Sequence, residues 1–388
     1  MTRPDRVRLA AYTDYVYHRD GDAVYAERAF ALFLARLGSE LEHLVVVGRL
    51  DPRPGPAHYR LPDGLEFVGL PHYQSLFRPG AVALALARSL RRFWAALAEV
   101  DVVWLLGPHP VALAFATLAR LRGRRIVLGV RQDLPSYVRS RHPTRRWIHV
   151  TGRALEFAWR ALARQHAVIV VGPELADRYS HAGRLLELSV SLITEADIAS
   201  PETVADRSYG GELRALSVGR LEAEKNPLLL AEVLARLPER WRLVVCGEGP
   251  LAPALRKRLR ALGLAERAEL RGYVPIDGGL LDLYRTSHAF LHVSLTEGLP
   301  QVLFEAFAGR LPVVATRVGG VATAAGEAAV LIPPDDAQAA AVALERVAAG
   351  PGLRARLIEA GVKRARERTL DAECRRVAEF LAGAVGSG

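Results

Sequence analysis

Cysteine is nearly missing from this chain: two in 388 residues, Cys246 and Cys374. That leaves no disulfide framework and no zinc spacing, and makes a reducing cytoplasm the expected setting. Lysine is almost as scarce, with only Lys225, Lys257 and Lys363 among 52 basic residues, so arginine carries the positive charge and each lysine stands out. No uncharged stretch approaches the length needed to cross a bilayer. Arg3, Asp5, Arg6 and Arg8 interrupt any apolar run at the start, so no signal peptide is expected. Histidine gives no metal pattern either. Only His288 and His292 are four apart, and they flank a predicted strand, where that spacing holds them too far apart to share a metal. The expectation is no metal and no bound cofactor.

The remainder is that of a soluble globular protein, with 50% hydrophobic and 24% charged residues and length enough for two domains. The net charge of +10 is lopsided: residues 1–200 hold 27 arginines and 19 acids, against 25 basic and 23 acidic residues in 201–388. A basic first half suggests an anionic partner, either a membrane surface or a phosphorylated acceptor. Nucleic acid is not expected, since no binding motif accompanies the charge. Two aromatic-basic stretches fit an interfacial segment, Arg88-Arg91-Arg92-Phe93-Trp94 and Arg139-Arg141-Arg145-Arg146-Trp147. The competing expectation is that both tryptophans are core residues with solvated arginines around them.

Strand and helix alternate along the whole chain, the pattern of doubly wound α/β sheets. In the first half, strands are predicted at Arg6–Ala11, His43–Val47, Leu65–Val68, Asp101–Leu106, Arg125–Val130 and Ala167–Val171. The helices between them are predicted at Ala23–Leu37, Gly80–Ala98, Pro110–Leu121 and Pro143–Arg164. Ligands bind such sheets at the strands' C-terminal ends, which draws attention to the loops Asp14–Asp22, Gly107–Pro110 and Arg131–Asp133. Weak periodicity with Pro201, Gly210 and Gly211 marks a linker, after which a second strand–helix series begins at Leu213. The predicted organisation is therefore a first domain over 1–195, a linker over 196–211, a second domain over 212–369, and a last helical segment over 370–388.

One stretch carries the chemistry. Ala289–Val293 reads as a buried strand, Glu297-Gly298 breaks it, and Pro300 opens a helix with Val302, Leu303, Ala306 and Phe307 on its apolar face. Glu297 then sits in a loop at a strand's C-terminal end, with Glu305 about two turns into the helix. Between them lie the free amides of a helix N-terminus, including those of Gly298 and Leu299, which attract phosphate. A carboxylate, an anion hole and a second carboxylate suit a nucleotide sugar. This stretch resembles the donor-site signature of retaining glycosyltransferases of family 4, in which two glutamates are separated by seven residues; Glu297, Gly298, Pro300, Ala306 and Glu305 match it. The resemblance implies that Glu297 contacts hydroxyls of the transferred sugar and Glu305 holds the ribose. It also implies the GT-B fold, two Rossmann-like doubly wound domains facing across a cleft, with the last helix crossing back to the first domain.

Other motifs extend the resemblance. Gly219-Arg220 with Lys225-Asn226-Pro227 looks like the family's first donor loop, in which arginine and lysine grip the two phosphates. Fixed cations there stabilise the charge that develops on a departing diphosphate. Tyr273-Val274 resembles the strand end whose backbone reads the base, and Gly247-Glu248-Gly249 the turn beside the donor phosphates. The implied donor is a UDP- or GDP-linked sugar, and the acceptor a glycan, a lipid-linked molecule or a small molecule. The acceptor is expected to meet Asp20, Gly21, Asp22, Tyr25, His109, Arg131, Gln132 and Asp133. Two rival readings exist: a dehydrogenase, because Gly247–Ala252 fits G-x-G-x-x-A with Glu266 as a ribose-binding acid, and a transferase-like protein that binds nucleotide sugar without turnover.

The chain departs from the family in three places. The region after the first strand holds a single glycine, Gly21. Arg131 stands where a histidine is usual, and Val321 where a glutamate is usual. Arg131 offers a planar fork of donors that a carboxylate or phosphate could fill, with Asp133 expected to orient it.

Overall fold

The computed structural model describes residues 6–26, 30–53, 59–72, 79–141, 145–189 and 191–386, and divides into two compact units. The first comprises Met1–Val190 and Leu370–Gly388, the second Ser191–Thr369.

The first unit runs β1 (Arg8–Asp20), β2 (Ala23–Ala26), α1 (Phe30–Gly38), β3 (His43–Asp51), β4 (Tyr59–Arg60), β5 (Glu66–Pro71), α2 (Pro79–Ala96), β6 (Val102–Gly107), α3 (Pro110–Leu121), β7 (Arg125–Val130), α4 (Leu134–Arg141), α5 (Arg146–Ala163), β8 (Ala167–Val171), α6 (Pro173–Arg178) and β9 (Leu185–Leu188). Its parallel strands lie in the order β5-β3-β1-β6-β7-β8-β9. The side chains of β6, β7 and β8 are nearly all apolar, as expected where both faces of a parallel sheet are covered; Val103, Leu105, Ile126 and Leu128 sit in one core with Phe93, Phe115 and Trp159.

Two expectations are corrected here. The strand predicted to end at Ala11 continues to Asp20, turns at Gly21 (φ +56°) and returns antiparallel as β2, with Tyr17 opposite Ala26. The aromatic and β-branched run Tyr12-Thr13-Asp14-Tyr15-Val16-Tyr17 favours extension, so 14–22 is a hairpin arm and not a loop. Of the helix predicted from Ala23, residues 23–26 are strand β2 and α1 is described from Phe30, with 27–29 outside the described residues. The helix predicted from Pro143 likewise begins outside them, and α5 is described from Arg146.

The second unit runs β10 (Leu213–Val218), α7 (Leu228–Arg236), β11 (Trp241–Cys246), α8 (Ala252–Ala261), β12 (Ala268–Gly272), α9 (Leu281–Thr286), β13 (Ala289–His292), α10 (Gln301–Ala308), β14 (Val313–Thr316), α11 (Val321–Ala325), β15 (Ala329–Ile332), α12 (Ala337–Ala349) and α13 (Pro351–Glu367); α14 (Leu370–Val385) then joins the first unit. Its six strands are parallel in the order β12-β11-β10-β13-β14-β15. Alternate residues feed two cores, Leu213, Leu243 and Leu291 into one and Leu216, Val244 and Phe290 into the other. The stretch 196–211 packs within this unit. Arg207 donates to the carbonyl oxygens of Tyr284 (3.3 Å) and Gly309 (3.1 Å), and Ala199 N–H to that of Ala308 at 2.8 Å. Both cysteines are buried free thiols.

Candidate functional site

In the second sheet the chain turns to opposite sides of β10, with β11 on one side and β13 on the other. The loops leaving β10 and β13 therefore meet at the switch point, where open α/β sheets bind ligands. Lys225 ends the short 3₁₀ turn after β10, and Asn226 closes that turn in a left-handed conformation (φ 49°). Leu295 N–H donates to Glu224 O at 2.8 Å and ties the two loops together.

At that junction one carboxylate oxygen collects three donors. Glu297 Oε1 lies 2.5 Å from Lys225 Nζ, 2.8 Å from Ser294 Oγ and 3.0 Å from His292 Nε2. Its side chain is 9% exposed. Burial acts to raise the Glu297 carboxyl, but the His292 ring and the Lys225 ammonium outweigh it and hold the group at about 2. Ser294 is fixed in turn, because Thr316 Oγ1 donates to its carbonyl at 2.7 Å. Glu297 is a preorganised anion with a cation alongside it.

Helix α10 starts after Pro300 with no side-chain cap on its first amides. Eight residues beyond Glu297, Glu305 is buried, not a solvated surface acid, and accepts a 2.8 Å hydrogen bond from Tyr284 Oη. Burial pushes its carboxyl up, with the Tyr284 bond opposing. Gly319 (φ +46°) and Gly320 press against the carbonyls of Glu297 and Gly298, leaving no room for a Cβ. Val321, next in line, is fully buried in the core, so the departure from the family's glutamate places an apolar side chain inward. Arg220, half exposed, is paired with Glu222 (2.6 Å) and Glu224 (3.2 Å). Tyr273 is partly exposed, and Val274 packs on the core beneath.

In the first unit the C-terminal ends of β6 and β7 and the middle of β1 form a second polar cluster, and it corrects one pairing. Arg131 does not pair with Asp133: its Nη2 donates to Asp14 Oδ1 at 2.8 Å, its Nη1 to Tyr15 Oη, and its guanidinium lies 4.3 Å over the Tyr15 ring. Asp133 instead holds Arg178 and accepts from Ser136. Sequence separation favoured Asp133 over Asp14, but β1 and β7 flank β6 and bring Asp14 alongside. His109 caps α3, its Nδ1 accepting from Val111 N–H at 3.3 Å and lying 3.4 Å from Tyr12 Oη. That network assigns the ring proton to Nε2, and burial lowers the ring's pKa. Gln132 is exposed beside this cluster. Asp20, Gly21, Asp22 and Tyr25 belong to the hairpin arm. With six residues from Asp14 to Asp20, the arm's tip is roughly 20 Å along the strand, so they are not gathered with His109 and Arg131. Away from this end, His43, Glu66 and Glu99 place ligating atoms within 4.8 Å of one another at the sheet's N-terminal edge, with both acids exposed.

Comparison with known proteins addresses the second unit first. Residues 203–364 match the family described as "Glycosyl transferases group 1". The match covers most of the second unit. Relatives include an α-D-kanosaminyltransferase of Streptomyces kanamyceticus, 29% identical over 57% of this chain and 61% of that protein. Another is the putative teichuronic acid biosynthesis glycosyltransferase TuaC of Bacillus subtilis, 35% identical over 34% and 32%. The chain thus matches less than two thirds of the length of either. A solved structure of Anabaena HepE in complex with UDP superposes with a TM-score of 0.70, at 17% identity over 97% of this chain and 100% of that one. That likeness establishes the fold as GT-B, built from two Rossmann-like units.

Within the matched region the dinucleotide fingerprint has another explanation. Gly247 (φ +145°) and Gly249 (φ +157°) lie against the carbonyls of Gly219 and Leu221, where a side chain would collide, so the glycines serve loop packing. Glu266 lies in the turn before β12, at the opposite end of the sheet from Gly247. No nucleotide bound at the glycine turn places its ribose there, and the comparisons return glycosyltransferases. Three residues of the domain escaped sequence reading. In the sequence His292 stands out only as a candidate metal ligand, and Ser294 and Tyr284 do not stand out. Ser294 follows His292 by two residues, just past the end of β13, and that spacing, which sets both on one side of an extended chain, is the one signal available.

Proposed function

We propose that the chain is a retaining glycosyltransferase that moves a sugar from a UDP- or GDP-linked donor held by the second unit to an acceptor held by the first. The observation that carries this reading is the Lys225–Glu297 pair at the sheet's switch point, braced by His292 and Ser294. Glu297 is ionised and acceptor-only, suited to sugar hydroxyls. Lys225 and Arg220 stand where the departing diphosphate gains charge, and the uncapped start of α10, with Gly298 and Leu299 just before Pro300, offers N–H groups to the phosphates. In this reading Glu305 takes the ribose hydroxyls, and the backbone at Tyr273 and Val274 the base. The Anabaena neighbour's complex with UDP-glucose supports a donor of this class. Calorimetric titration with UDP, GDP and their glucose, N-acetylglucosamine and mannose derivatives tests the reading; binding of none of them would remove it.

Fixed cations also make a metal unnecessary for leaving-group departure. Turnover is expected to change less than about twofold on adding EDTA, against the several kcal/mol a catalytic metal supplies; its abolition, with rescue by magnesium or manganese, would reverse this point.

On the acceptor side Arg131 presents Asp14 in place of an open fork, since both of its terminal nitrogens are engaged. Asp14 is 37% exposed, and with His109 it offers a hydroxyl an acceptor and a neutral ring. Asp14→Asn is expected to cut transfer to acceptor by about tenfold or more, with donor affinity unchanged. Equal losses of donor affinity would place Asp14 in general folding instead.

A further inference from the structure

Helix α5 has an apolar stripe on the wrong side for folding. Its core-facing row is Gly152, Glu156, Trp159 and Ala163, all buried. Trp147, Val150, Ala154, Phe157 and Ala161 form a second row at three- and four-residue spacing, and every one is exposed. At about 100° per residue the two rows point roughly 180° apart, so the second row faces outward. Its members are no marginal cases: Trp147 is 52% exposed, Val150 64% and Phe157 74%. The expectation of a core Trp147 is therefore overturned. An ordinary surface helix carries polar residues at these positions, and a stripe of this kind marks an interaction surface.

The charges beside the stripe say what covers it. Arg146, Arg153, Arg160 and Arg164 are exposed along one flank, at roughly 80–120° from the buried row. Glu156, the sole acid between residues 145 and 164, is buried and accepts from Tyr179 Oη at 2.8 Å. The partner must offer an apolar layer and, immediately beside it, negative charge along the helix. The stripe is also long and straight, with Trp147 and Phe157 about 15 Å apart along the axis, which suits an extended apolar layer and not a pocket. A second copy docking antiparallel would set arginine row against arginine row. We infer that α5 is a membrane-contact helix that seats the first unit on an anionic lipid surface. Trp147, Val150 and Phe157 enter the headgroup–acyl boundary while the arginines reach lipid phosphates. Of the two aromatic-basic stretches in the sequence, the other contributes less: Trp94 is 37% exposed and lies under the Arg122 guanidinium at 4.2 Å.

Flotation of the full chain with lipid vesicles tests this independently of any enzymatic assay. Vesicles of phosphatidylcholine with about a quarter phosphatidylglycerol should carry the protein up the gradient, and phosphatidylcholine alone should not. Two variants, Phe157→Ser and Arg153→Gln with Arg160→Gln, should each lower the bound fraction about tenfold at limiting lipid. Raising the salt to about 1 M, where screening acts within about 3 Å, should release the wild type. Both variants alter outward-facing side chains, so their thermal unfolding should match the wild type. No flotation with anionic vesicles would overturn the inference, as would flotation that both folded variants retain. A vesicle-indifferent dimer in light scattering that Phe157→Ser dissociates would also overturn it and make the stripe an interface between copies.

Discussion

Lys225→Ala is expected to lower turnover by about two orders of magnitude or more, the usual effect of removing one preorganised charge donor. Were Lys225 a lone exposed lysine, the fold would hardly notice. The structure requires a second effect, because Lys225 is 24% exposed and pairs with the nearly buried Glu297. Removing it leaves that carboxylate with His292 and Ser294 alone, so a stability loss of about 1.5–3 kcal/mol is expected. The loss depends on pH in a defined direction. Glu297 is held at about 2, below the ordinary 4.5, so its ionised form adds stability that is complete above about pH 4.5 and lost as the pH falls through about 2. The difference in melting temperature between wild type and Lys225→Ala should therefore narrow on acidification from neutral pH to about 2. A variant with normal turnover on nucleotide sugar would end the donor-site assignment; a difference that is flat with pH would end the Glu297 linkage alone. Arg220→Ala is the control, since its half-exposed pairs with Glu222 and Glu224 contribute little to folding.

Glu305→Ala is expected to raise the donor KM roughly tenfold or more, since two ribose hydroxyls on an ionised carboxylate contribute about 1.5–3 kcal/mol. If that binding is shared by ground state and transition state, kcat changes less. Here too the structure adds a cost. Tyr284 is fully buried and donates to Glu305, so truncation leaves its hydroxyl unsatisfied for about 1–3 kcal/mol, beyond any cavity. Glu305→Gln separates the two effects: its amide oxygen still accepts from Tyr284 while the charge is gone. The glutamine variant should melt close to wild type yet bind nucleoside diphosphate more weakly. Wild-type affinity in a folded Glu305→Gln would make Glu305 a partner of Tyr284 and nothing more.

The sequence by itself determined the α/β class, the GT-B resemblance, and the Glu297/Glu305 and Arg220/Lys225 motifs, because all rest on local order. Strand–helix alternation needs only short windows, and a loop followed by a helix start is contiguous in the chain. Contacts between distant segments were decided by the tertiary structure. Asp14 and Arg131 are brought together by the order β1-β6-β7, which no spacing announces, whereas Asp133 is the acid nearest in sequence. His292 gained a role only when the loop after β13 folded back to place Glu297 on its ring. The glycines at Gly247 and Gly249 read as a dinucleotide fingerprint until their contacts with Gly219 and Leu221 supplied another cause. Helix α5 offers the same lesson on a surface. Its apolar residues recur with a helical period on two faces, and periodicity cannot tell which face meets the core. Only packing against β-sheet neighbours, with Trp159 buried and Phe157 left exposed, decided it.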